Sequence, residues 1–150
     1  MMTGAFLLLA ACATGRESLY DGAKLPADQT ALVEVNTYAQ KRTLRWVIRE
    51  VRLPGGPNAH GTFDIKPGPQ KIEVEWQIYD ATENDVVGSV LLPVADRAKR
   101  IDEGVRTISF HPEAGRFYRL QWASRQDASI EGKPTDMELT LVDAGLRPLE

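Results

Sequence analysis

The chain reads as an all-β protein, a single antiparallel β-sandwich of about seven to eight short strands, behind an N-terminal segment that is no part of it. Three observations predict this. Gln70 to Tyr79 alternates strictly, with Ile72, Val74, Trp76 and Ile78 on one face and Lys71, Glu73, Glu75 and Gln77 on the other. A period of two places one face in a core and the other in water. Turn formers recur between the apolar runs, as Pro54-Gly55-Gly56-Pro57, Pro67-Gly68-Pro69, Pro112 and Gly132-Lys133-Pro134, the punctuation of sandwiches and small barrels. The length of 150 residues, with 43% hydrophobic and 26% charged residues, suits one globular domain.

Taken in order, the first element is not a strand. From Ala5 to Ala11 every residue is apolar, no charge precedes Arg16, and the run ends at Cys12, the only cysteine. About 20 apolar residues are needed to cross a bilayer, so this stretch fits the short apolar core of an export signal instead. Residues 12–30 hold Gly15, Asp21-Gly22, Pro26 and few apolar side chains, which predicts a tether docking through Leu19, Tyr20 and Leu25. The division is therefore 1–11 signal, 12–30 cysteine and tether, 31–150 sandwich domain.

Within the domain, Ala31–Val35 alternates weakly and reads as a strand. Thr43–Leu53 fits both periods, but its β-branched residues and the stop at Pro54 favour a strand with a bulge. Val86–Leu92 reads as a strand buried on both faces, and Pro93–Gly104 as one or two helical turns linking the sheets. Arg106–Phe110 turns Ile108 and Phe110 inward. Arg116–Trp122 does the same with Tyr118, Leu120 and Trp122, and Met137–Val142 with Met137, Leu139 and Leu141. Trp46, Trp76 and Trp122 are expected in the core; one that proves exposed becomes a binding candidate.

The function classes that composition disfavours are several. Lys plus Arg is 18 and Asp plus Glu 21, a net charge of −3, without the basic excess of a nucleic-acid binder. One cysteine rules out an internal disulfide and a multi-cysteine zinc site. His60 and His111 are the only imidazoles and share no ligand spacing, so they read as loop residues. Ser89, Ser109 and Ser124 lie outside any G-x-S-x-G elbow, and no phosphate-cradling glycine motif occurs. The acidic stretch Asp80, Glu83, Asn84, Asp85 lacks the EF-hand pattern and reads as a solvated connection. No catalytic residue, metal or cofactor is expected. Arg45, Arg49 and Arg52 form a basic stripe, either a binding surface for anionic groups or surface charge paired with Glu50, Glu73 or Glu75.

Two resemblances sharpen the reading. Leu9-Ala10-Ala11-Cys12 resembles the lipobox of small bacterial lipoproteins, in which a branched apolar residue and two small ones precede the cysteine. The resemblance implies cleavage between Ala11 and Cys12 and acylation of Cys12. Ile65-Lys66-Pro67-Gly68-Pro69-Gln70-Lys71-Ile72-Glu73-Val74 resembles the Pro-Gly turn and following strand of PEGA-like extracellular β-domains, and Ala114-Gly115-Arg116-Phe117-Tyr118 a second such turn. Together they imply a lipid-anchored protein of the bacterial cell envelope, at the outer membrane facing the periplasm. Its partners would be the membrane, through Cys12, and an envelope protein or the cell wall. It would act as a binding or structural module rather than an enzyme. Two alternatives stay open: a small-molecule-carrying β-barrel and an envelope hydrolase using carboxylates. A cytosolic protein whose apolar N-terminus packs into the fold is a weaker one.

Overall fold

A computed structural model describes residues 16–81, 99–125 and 134–149. Ala11, Cys12 and the rest of the lipobox, the expected strand Val86–Leu92 and most of the acidic connection lie outside the described residues. Among the described residues no helix is long and apolar enough to cross a membrane.

The strands are β1 (Glu17–Ser18), β2 (Ala31–Val35), β3 (Tyr38–Lys41), β4 (Leu44–Arg52), β5 (Asn58–Ala59), β6 (Phe63–Ile65), β7 (Gln70–Asp80), β8 (Lys99–Phe110), β9 (Arg116–Ser124) and β10 (Met137–Leu146). Two 3₁₀ turns, Ala27–Gln29 and Pro134–Asp136, complete the described elements. The all-β expectation holds. The strands make two five-stranded sheets, one in the order β1-β6-β2-β9-β10, the other β3-β4-β7-β8 with β5 beside β4. They do not close into a barrel. The expectation of purely antiparallel pairing fails in the first sheet, where β1 pairs β6 and β2 pairs β9 in parallel.

The alternating segments behave as their period requires. On β7, Ile72 and Val74 are fully buried and Ile78 nearly so. The ambiguous segment is β4, a strand; its register slips between Ile48 and Glu50, so Arg49 bulges out. The bulge lets Ile48 and Val51, three apart, both reach the interior. The helical turns expected over Pro93–Gly104 do not extend to 99–104, which begins β8. Lys99 lies opposite Asp80 and Gly104 opposite Trp76 in the β7–β8 hairpin, and ladder pairing there outweighs the helical spacing of the apolar residues.

Residues of both sheets share one core. Leu19, Val33, Phe63, Ile65 and Leu120 from the first sheet and its N-terminal lead pack in the same cluster as Ile48, Val51, Ile72 and Val74 from the second. The packed chain thus begins before residue 31. Glu17–Ser18 pairs with Phe63–Asp64, Leu19 is fully buried, and Tyr20 accepts a hydrogen bond from the Leu25 amide through its hydroxyl at 2.9 Å. At the other end Arg147 pins the C-terminal segment. Its Nη1 donates to Asp64 Oδ1 at 2.7 Å, to Thr30 Oγ1 at 3.0 Å and to the Ala27 carbonyl at 3.4 Å.

Candidate functional site

β8 ends the second sheet and β10 ends the first; among the described residues each pairs on one side only. The two sheet ends flank a cleft. Its deeper part, about 220 Å³, is lined by Trp76 and Ile78 of β7, Asp102 and Arg106 of β8, Trp122 and Arg125 at the end of β9, and Met137 to Leu139 of β10. A second hollow of about 320 Å³ continues along Ile108 to Phe110 and Thr140 to Leu141. Arg106, Glu138 and Leu139 border both, so the two form one groove.

The alternation of the strands builds this groove. β7 sends Trp76 inward between Val74 and Ile78, and β9 sends Trp122 inward after Leu120. The two indoles meet edge to face across the sheets, centroids 6.2 Å apart and planes at 89°, a favoured geometry for aromatic pairs. Gly104, opposite Trp76, makes the room. A Cβ there would lie 2.7 Å from Trp76 Cζ2 and 3.1 Å from Cε2. Thus Trp46 is fully buried, as expected of all three tryptophans, whereas Trp76 and Trp122 are half-buried and form the floor of the groove.

Two polar features of the groove lack partners. Trp122 Nε1 is shielded from solvent and has no hydrogen-bond acceptor, an omission that costs about 1–3 kcal/mol for a buried donor. Arg106 makes no ion pair with any described residue. The other rim charges are engaged: Glu138 stands 3.9 Å from Arg125, and Asp102 Oδ1 accepts from the Glu103 amide at 2.9 Å.

The residues singled out in the sequence lie elsewhere. None of Arg45, Arg49 and Arg52 is among the buried positions of β4, which are Leu44, Trp46, Ile48 and Val51. Arg52 Nε donates to Glu73 at 2.8 Å and its Nη1 is 3.6 Å from both Glu50 and Glu75. The Glu73 hydrogen bond raises the Arg52 pKa above its ordinary value. Arg49 protrudes at the bulge. Arg45 sits between Gln40 and Tyr79 in the ladder, with Nε and Nη1 shielded and unbonded. His60 is 3.8 Å from Glu17 and 3.7 Å from Glu50 on an exposed surface, and among the described residues no group of three His, Cys, Asp or Glu is arranged to hold a metal. The sequence marked Trp76 and Trp122 as core tryptophans that become binding candidates if exposed, but Arg106 and Gly104 carried no sequence signal, since the pairing of Gly104 with Trp76 appears only in the sheet register.

Comparison with protein-family models, with curated proteins and with solved structures returns no significant match.

Proposed function

We propose that the chain is a membrane-anchored lipoprotein of the bacterial cell envelope, acting as a binding module through the groove between β8 and β10. Cys12, freed by cleavage after Ala11, carries the lipid. The body is one β-sandwich, and its site is at the outer membrane facing the periplasm. One observation carries the reading: β1, the first described strand after Cys12, and β10, which borders the groove, lie at opposite ends of one sheet. β1 leads that sheet and β10 closes it. Four inter-strand steps separate them, about 19 Å at the usual strand spacing.

The spacing between Cys12 and the fold matters too. β1 starts at Glu17, so the stretch from Cys12 reaches at most about 17 Å even fully extended. Within the tether expected over 12–30, Glu17–Ser18 pairs with β6 and Leu19 is fully buried, so a body anchored at Cys12 would sit close to the lipid surface. Two acyl chains or more hold such a protein stably, where one does so marginally.

The test is metabolic labelling of cells with an alkynyl palmitate analogue. The wild-type chain should be labelled and sediment with membranes, and Cys12→Ala should lose both properties. A wild-type chain that is unlabelled and found in the cytosol overturns the proposal.

A further inference from the structure

We propose that the groove takes an extended segment of a partner polypeptide, presenting a carboxylate to Arg106 between two apolar side chains on the same face. The inference deepens the binding-module reading and rests on it.

The shape of the groove points to an extended chain. Its wall on β8 runs from Asp102 to Phe110, about 26 Å at 3.3 Å per residue. Two hollows of about 220 and 320 Å³ lie end to end, each of a size for one or two side chains. Both flanking strands are sheet ends among the described residues, and such ends offer main-chain groups that an added strand satisfies.

Chemistry sets the partner's pattern. The floor beneath Arg106 is Trp76, Trp122 and Leu139 on one side and Ile108, Phe110 and Leu141 on the other. Side chains of a strand alternate, so an apolar residue, then an acid two positions on, then another apolar residue, all face the groove together. The acid meets the only rim charge that no acidic group among the described residues already neutralises or no local bond engages. Trp122 lines the floor beside Arg106, so its indole N–H resonance reports occupancy of the groove. Asp102 borders the deeper hollow four residues along β8, and its Oδ1 accepts from the Glu103 amide.

The probe is an acetylated, amidated heptapeptide with Leu, Glu and Val at its second, fourth and sixth positions and Thr elsewhere. A companion carries Lys in place of Glu. Each is titrated into the full-length, ¹⁵N-labelled chain in detergent, following the Trp122 indole N–H resonance assigned with Trp122→Phe. The Glu peptide should move that resonance to saturation, and the Lys peptide should bind at least tenfold more weakly. Arg106→Glu, a change on an exposed side chain that leaves the remaining spectrum intact, should reverse the preference. An indole resonance that stays put overturns the proposal, as does equal binding of the two peptides or an unchanged preference in Arg106→Glu. So does a resonance that moves with protein concentration alone, which would make a second copy the occupant. Failure here with Cys12 labelled removes only this occupant; an unlabelled Cys12 removes the anchored-module reading and leaves the titration standing.

Discussion

Replacing Arg147 with Met should unfold the protein well below the wild-type temperature. The side chains of Arg147 and Asp64 are only 6% and 5% exposed, with 2.7 Å between Nη1 and Oδ1. The same guanidinium group bonds Thr30 and Ala27, and the Arg147 amide donates to the Gly115 carbonyl at 2.9 Å. The side chain therefore ties the C-terminal segment to β6 and to the 3₁₀ turn before β2, and the main chain of the same residue ties it to the turn before β9. Arg147→Met leaves the Asp64 carboxylate buried without its cation, which costs about 3–5 kcal/mol. For a domain of this size each kcal/mol lowers the melting temperature by about 2–5 °C, so a fall of roughly 10–20 °C is expected by circular dichroism. Asp64→Leu with Arg147→Met removes both charges together and should recover most of that loss, because an apolar pair of similar volume replaces a buried ion pair at little cost. A double-mutant cycle reads the coupling directly. A fall under about 3 °C in Arg147→Met, or a double variant as unstable as the single one, refutes the reasoning.

Three further outcomes follow from the packing and the charges. Gly104→Val drives a methyl into the Trp76 ring and should cost about 1–3 kcal/mol while changing the near-ultraviolet dichroism of the tryptophans; an unaltered spectrum would show that the indole does not lie on Gly104. Trp46→Ala should destabilise by about 3–5 kcal/mol as a fully buried aromatic, and by more than Trp76→Ala, since Trp76 borders the groove; the reverse order of melting temperatures would count against the core assignment. Asp143 accepts a hydrogen bond from Arg116 Nη2 at 2.7 Å and a second from the Gly145 amide at 2.9 Å, which together hold its pKa below the ordinary carboxylate value. Its contribution is present above the unfolded-state pKa of about 3.9 and disappears as pH falls through the lowered folded value. Asp143→Asn should therefore lose less stability than wild type on acidification below about pH 4, and parallel melting curves for the two proteins would remove the assignment.

Much of the fold was legible because its strands bury one face. Ile72, Val74, Trp76 and Ile78 recur every second residue, and β7 follows with the predicted face inward. β4 was legible despite mixed spacing, since β-branched residues before Pro54 favour a strand and the bulge at Arg49 absorbs the mismatch. β1, β5 and β6 are two or three residues long, too short to show a period, and β1 exists through parallel pairing with β6, a contact distant in sequence. The first half of β8, Lys99 to Glu103, is charged and exposed; the hairpin with β7 makes it a strand, not its own pattern. The groove was half legible. Its tryptophans stood out by type, but their meeting across two sheets depends on the sheet order. Arg106 looked like one surface charge among 18 basic residues until its lack of an ionic partner could be seen.

The envelope-module reading turns on how the N-terminus is held, and intact-mass spectrometry of the protein extracted from membranes reads that most directly. The account predicts a chain lacking residues 1–11 and carrying a diacylglyceryl thioether on Cys12, with further acylation of the new amine where the cell performs it. An unmodified chain beginning at Met1 or Met2 would contradict it.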